Sequence, residues 1–209
     1  MTTPQWEAPT RALLAREGLE PEKVLRAMRR VDRAKFVPED ERERAGWDCA
    51  LPIGCGQTIS QPSLVAAMIA RLELEDSSRV LEIGTGCGYQ AALLAELTPH
   101  TYTVEYFPEL AADARANWRA AGVEGIHLRV GDGREGWPEE APFDAILLAA
   151  AFRELPPALP EQLRGAGSRI LGPREVGPEE QELTVWTVRG DGGLDREAWF
   201  PVRFVPLLS

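Results

Sequence analysis

The run VLEIGTGCGYQ (80–90) places Gly84, Gly86 and Gly88 at alternate positions directly after a short apolar stretch. Glycine lets a backbone turn sharply and lets a ligand approach main-chain N–H groups. A dinucleotide fingerprint needs a glycine at the sixth position of G-x-G-x-x-G, and Tyr89 stands there. A G-x-G-x-G turn preceded by an acid, here Glu82, suits S-adenosylmethionine instead. That cofactor has no pyrophosphate to cradle, and its ammonium and sulfonium charges favour a nearby carboxylate. Glu105 ends the next apolar stretch, where a carboxylate can accept from both ribose hydroxyls. Asp132, in GDG (131–133), can accept from an adenine amino group, and Gly133 beside it leaves room for the ring. All three features fall at successive strand ends, the edge along which open α/β sheets bind ligands. A further run, GCGQTISQP (54–62), crowds two glycines, two side-chain amides and two hydroxyls in front of a proline.

These residues need a scaffold, and the apolar pattern supplies one. Residues 4–16 and 21–31 carry helical spacing, with Pro21 suited to a helix start. Residues 36–61 show no period and read as an extended loop. Pro62 opens a helix to about Leu72, for which Ser60 is the expected N-cap. Strands are expected over RVLEIG (79–84), TYTVEY (101–106), IHLRVGD (126–132), FDAILLAA (143–150) and SRILGP (168–173). Helices are expected over 89–97 and 108–122, and near 156–164. The alternation implies an α/β fold whose mostly parallel sheet is covered by helices on both faces. QELTVWTVR (181–189) and REAWFPVRFVPLL (196–208) flank RGDGGLD, a hairpin signal, so an antiparallel pair closes the sheet. The chain divides into an N-terminal helical extension (1–75), a cofactor-binding core (76–175) and a C-terminal hairpin (176–209), within one domain.

Composition narrows the function classes. A net charge of −10 argues against a general nucleic-acid binder, which needs clustered Lys and Arg. No apolar run reaches the roughly 18 residues of a membrane span, and the first residues lack a signal-peptide pattern, so a cytoplasmic protein is expected. Cys49, Cys55 and Cys87 have no metal-binding spacing and read as reduced thiols, with Cys55 and Cys87 filling sites that need small side chains. No metal site is expected.

The chain resembles the protein-L-isoaspartate O-methyltransferase family over nearly its whole length. The resemblance rests on KFVPED (35–40), LPIGCGQTISQP (51–62), VLEIGTGCGYQAALLAEL (80–97), GDGREGWPEEAPFDAI (131–146) and PVRFVPLL (201–208). It implies a Rossmann-like class I methyltransferase fold and S-adenosylmethionine as cofactor. It also implies methyl transfer to the free carboxylate of isoaspartyl residues in damaged proteins and peptides, a repair reaction. Ser60 matches the family's active-site serine, with the role of orienting the carboxylate; Thr58 and Ile59 match positions lining the cofactor's methyl end. The segment's neutral hydroxyls, with N–H groups at a helix N-terminus, can then seat an anion without a buried counter-charge. A monomer is expected, with no nucleic-acid or membrane partner.

The acceptor half departs from the family pattern. After the fourth strand, T-A-A-A-P becomes Ala149, Ala150, Ala151, Phe152 and Arg153. The fifth-strand region, GAGSRILGPREVG (165–177), includes Gly172 and lacks the usual P-V-G. Leu208 stands where a threonine is common. Phe152 and Arg153 therefore suggest a related carboxyl methyltransferase with another acceptor, and a binding protein with little turnover is a third reading. A nicotinamide oxidoreductase is disfavoured by Tyr89.

A carboxylate, with an ordinary pKa of about 4, is ionised at neutral pH and attacks without a general base. Replacing both His100 and His127 with Gln should therefore leave the maximal rate within about three-fold, because no proton needs to be taken up. A large loss of rate in the folded double variant, measured by methyl-transfer kinetics, would reveal a missed base.

Overall fold

The computed structural model describes residues 4–208. Two helices lead, α1 (Glu7–Arg16) and α2 (Glu22–Arg30), followed by 3-10 turns at Arg33–Phe36 and Glu39–Arg44. The segment expected to be a plain loop then forms an antiparallel hairpin, β1 (Leu51–Gly54) with β2 (Gln57–Ile59). Its signal is short. Leu51 and Ile53 face inward while Pro52 and Gly54 face out, and the chain reverses through Gly54, Cys55 and Gly56, all at positive φ. A four-residue alternation is too brief to stand out in a window long enough to show a period.

Helix α3 (Pro62–Arg71) follows. Its N-cap is Gln61, one residue beyond the expected Ser60, and no side chain caps it from that position. The cap comes from elsewhere: Asp48 accepts from the Ser63 N–H and from the Ser63 hydroxyl, each at 2.8 Å.

The remaining elements follow in the expected order, alternating as far as β5 and with the last strand ending before the 208 expected for it: β3 (Arg79–Ile83), α4 (Tyr89–Ala95), β4 (His100–Glu105), α5 (Pro108–Ala121), β5 (Ile126–Val130), β6 (Ala145–Leu148), β7 (Arg169–Glu175), β8 (Gln181–Val188) and β9 (Leu194–Val202). Seven strands form one sheet in the order β5-β4-β3-β6-β7-β8-β9, with parallel pairing from β5 to β7 and antiparallel pairing of β8 and β9. The chain runs outward from β3 to β5 and returns to place β6 on the other side of β3. That reversal is the switch point at which open α/β sheets form their ligand crevice.

The two faces are covered unequally. The apolar residues of all five α-helices join one cluster with Val80, Ala145, Leu147, Leu171 and Val185 of the sheet. Residues from the N-terminal extension and the hairpin strands join the same cluster, which runs from Trp6 to Val185. The other face, with Leu81, Ile83, Tyr102, Val104, Ile146 and Ile170, is closed by Trp137, Phe143, Leu155, Leu159 and Leu163. These flank the 3-10 turns Pro138–Glu140 and Pro160–Gln162. The helix expected near 156–164 is thus a single turn, because Pro156, Pro157 and Pro160 remove N–H donors and clash with a preceding helical turn.

Two of the departures in the acceptor half compensate each other on this face. The Phe152 ring is buried against Trp186, with centroids 5.6 Å apart. A Cβ at Gly172 would lie 3.0 Å from Phe152 Cε1 and 2.8 Å from Leu148 Cβ. Phe152 fills space that a side chain at 172 would need. Gly172→Val should destabilise by about 1–3 kcal/mol through overpacking, and Phe152→Ala in the same chain should return part of that loss. Additive effects of the two changes in denaturant titrations would refute the coupling.

Candidate functional site

At the carboxyl ends of the parallel strands lies a cleft open to solvent. The loop after β3 supplies Gly84, Thr85, Gly86 and Cys87; β4 supplies Glu105, followed by Tyr106 and Phe107; Gly133 follows β5; Ala149 and Ala150 follow β6. The hairpin side adds Ile53, Gln57, Thr58, Ile59 and Ser60, and the C-terminal stretch adds Val205 to Leu208. That last stretch is held by Ala151, whose N–H donates to Val205 O and whose carbonyl accepts from Leu207 N–H, both at 2.7 Å.

Glu105 is buried, with one carboxylate oxygen accepting from Gly86 N–H at 2.7 Å and the other from Phe107 N–H at 3.0 Å. Burial raises its pKa, and the backbone N–H donors oppose that rise by favouring the charged form. The carboxylate is therefore oriented by main-chain donors before any ligand arrives.

Thr58, Ile59, Ser60, Gly84, Gly86, Glu105 and Gly133 meet at this cleft, as one constellation drawn from four separate stretches of sequence. Three expected cofactor residues do not. Glu82 is fully buried under the floor, where parallel pairing sets it beside Thr103. Gly88 is packed away against α5, its carbonyl accepting from the Trp118 indole N–H at 2.8 Å. Asp132, expected to meet an adenine amino group, caps the turn at 133–135 and binds Arg134: its carboxylate accepts from Arg134 N–H at 2.9 Å and pairs with the guanidinium at 2.6 Å. The pairing with a partner two residues away holds the Asp132 carboxyl below its usual range.

A second, smaller cavity adjoins the first. Thr58, Ser60, Ala149 and Val205 line both; Gln61, Leu64 and Arg203 line the smaller one. Ser60 thus stands in the partition. The helix end behind it offers fewer donors than expected, since Pro62 has no N–H, Ser63 N–H is taken by Asp48, and Leu64 N–H donates to Gln61 O at 3.1 Å. Arg153 lines neither cavity; it is 81% exposed and lies 3.8 Å from Glu175. With Phe152 buried on the far face, neither residue supports a changed acceptor. His100 and His127 also lie off both walls, and His127 stacks on Tyr102 at 4.8 Å. Leu208, singled out in sequence as part of the acceptor half, does line the cleft; Asp48 was not legible as a supporting residue, because its contact with Ser63 belongs to no motif.

The sequence matches the family described as Protein-L-isoaspartate(D-aspartate) O-methyltransferase over residues 11–209. The protein-L-isoaspartate O-methyltransferase of Opitutus terrae is 51% identical over 187 residues, covering 88% of this chain and 78% of the relative. That of Paramagnetospirillum magneticum is 46% identical over 196 residues, covering 94% and 91%. In fold, the chain superposes on a Plasmodium falciparum protein solved in complex with S-adenosyl-L-homocysteine, with a TM-score of 0.81, 24% identity and coverage of 99% of both chains.

Beneath the cleft, Thr103 Oγ1 donates to Glu82 Oε2 at 2.6 Å and shares a second 2.6 Å hydrogen bond with Thr85 Oγ1, while Glu82 Oε1 has no partner. Burial pushes the Glu82 carboxyl up to about 8, with the Glu105 charge adding to the rise and Thr103 opposing it. An acid whose folded pKa is raised binds more protons folded than unfolded across the interval between the two values, so its contribution to stability falls as pH rises from about 4.5 to about 8. Thermal unfolding of Glu82→Gln, which cannot titrate, should lack this slope. Its stability relative to the unsubstituted protein should improve by an amount on the order of a few kcal/mol between pH 5 and pH 8. Parallel pH profiles for the two proteins would contradict a proton on Glu82.

Proposed function

The chain belongs to the protein-L-isoaspartate(D-aspartate) O-methyltransferase family, and on that premise we propose that it methylates the free carboxylate of L-isoaspartyl residues in damaged proteins and peptides, using S-adenosylmethionine. The observation that carries this reading is the partition formed by Thr58 and Ser60. It gives a large cleft, containing a pre-oriented carboxylate, a common wall with a smaller polar cavity.

The residues present suit the cofactor. Glu105 is held by backbone N–H groups, among them those of Gly86 and Phe107, and its carboxylate stands at the wall where ribose hydroxyls can donate to it. Gly84 and Gly86 bring main chain to the wall without side-chain bulk, Gly133 does so beyond β5, and Thr58 and Ile59 close the methyl end. When bound, S-adenosylmethionine supplies an electrophilic methyl group on a positively charged sulfur. Glu82, below the floor, acts through the Thr103–Thr85 hydroxyl pair and not by direct contact.

The smaller cavity takes the acceptor. The Ser60 hydroxyl, which makes no hydrogen bond to other described residues, is available to donate to the acceptor carboxylate and fix its approach. No base is assigned, because the acceptor is already an anion. Rate enhancement comes from alignment across the partition and from walls that exclude water.

The chain is read as one working domain, supported by the single apolar cluster that joins the N-terminal extension, the core and the hairpin strands. Its partners are isoaspartyl proteins and peptides. It acts as a cytoplasmic monomer, with neither nucleic acid nor membrane as partner; the net charge of −10 supports the exclusion of nucleic acid.

The test is methyl transfer from labelled cofactor to an isoaspartyl peptide, with the matching aspartyl peptide as control. Transfer to the first alone is expected. Glu105→Ala should weaken cofactor binding by about 1.5–3 kcal/mol, the range for hydrogen bonds to a charged group, as read by calorimetry. Cofactor binding without transfer to any isoaspartyl peptide would falsify the proposal.

A further inference from the structure

Arg33 is 3% exposed, yet no carboxylate among the described residues lies within ion-pair distance of it. Its guanidinium is spent on backbone. Nη1 donates to Ala45 O at 3.0 Å, with Trp47 O at 3.5 Å, while Nη2 donates to Cys49 O at 2.8 Å and to Ser60 O at 3.1 Å. Nε is buried without a partner. Burying an unpaired charge is expensive unless its hydrogen bonds are met, so this arrangement calls for a reason beyond packing.

The geometry supplies one. Residues 45–50 follow a 3-10 turn and precede β1, so their carbonyls have no ladder to join. A planar fork can reach several such carbonyls at once, which a lysine ammonium on a flexible stem cannot do in fixed directions. The same loop carries Asp48, which pins Ser63. Ser60 therefore lies next to two ties to one loop, the first at its own carbonyl and the second three residues on. Between them they set the backbone from which the Ser60 side chain reaches the partition of the two cavities.

We propose that Arg33 is a positioning residue for methyl transfer, acting through Ser60: its guanidinium fixes the Ser60 backbone and so aims the hydroxyl at the acceptor. This rests on the function proposed above. It also revises the expectation that the acceptor segment needs no buried charge: the segment's own groups are neutral, and a cation stands behind them. Asp48 is the acid whose field reaches Arg33, but it is engaged with Ser63 and does not pair with the guanidinium.

The experiment is a double-mutant cycle of Arg33→Lys and Ser60→Ala, reading kcat and KM for an isoaspartyl peptide and, separately, the cofactor Kd. Arg33→Lys should lower kcat by at least about ten-fold with cofactor Kd within about three-fold, and in the Ser60→Ala background it should cost less than about two-fold more. Losses that multiply, or a kcat loss that merely tracks weaker cofactor binding, overturn the proposal. If Arg33→Lys does not fold, Arg33→Ala with added guanidinium takes its place, and recovery of kcat is expected. No recovery, or no folded protein from either variant, leaves Arg33 as a core residue alone and also overturns it. Amide hydrogen exchange at Ser60 should rise in Arg33→Lys with no substrate present. If the unsubstituted protein transfers no methyl group while that rise is seen, the functional reading fails and the tie itself stands; if exchange is unchanged, the tie fails.

Discussion

One carboxylate holds the ligand edge of this molecule together. Glu105 ends β4, and its two oxygens accept from the Gly86 and Phe107 N–H groups. The first of these lies in the loop after β3, so the contact joins the ends of two adjacent parallel strands. It supplements the bonds from Gly84 N–H to Val104 O and from Gly88 N–H to Thr85 O, both 2.9 Å, that hold the glycine loop on either side. The burial that raises the pKa of Glu105 also strengthens these bonds, since low polarity acts on attraction and desolvation alike. The cleft is thus organised by an anion that belongs to the protein.

Around this edge the fold spends its regular structure unevenly. All five α-helices feed the apolar cluster on one face of the sheet, and proline-rich 3-10 turns close the other. Two of the departures of the acceptor half, Phe152 and Gly172, fall on the thinner face. There Phe152 and Gly172 exchange volume and leave the cleft untouched. Ala149 and Leu208, by contrast, do reach the cleft wall. Divergence at neighbouring positions therefore has different meanings, according to which way each side chain turns from the strand end.

The sheet was legible because its signals are local. RVLEIG, TYTVEY and FDAILLAA are apolar runs bounded by turn residues, and the glycine spacing after the first of them marks the ligand edge. The hairpin at 51–59 was hidden by brevity, and the turn at 160–162 by an apolar pattern whose prolines override it. Glu82 and Asp132 show where motif reading stops. Each has the right residue type at the right strand end, but Glu82 points into a hydroxyl network and Asp132 closes on Arg134. Which way a carboxyl turns depends on register and on competing partners, and neither is written in spacing. Arg33 and Asp48 lay outside any motif because what they hold is main chain far along the sequence.

Cys87 lines the cleft beside the glycine loop, and burial pushes its thiol up to about 12. At neutral pH burial therefore favours the neutral thiol there. Thiolates are far better nucleophiles than carboxylates, so an ionised sulfur at this wall would intercept an alkylating agent meant for a weaker partner. Keeping that sulfur protonated is a form of chemoselectivity built from burial alone. A site that handles an electrophile can carry a cysteine in its wall, provided the surroundings deny it a charge.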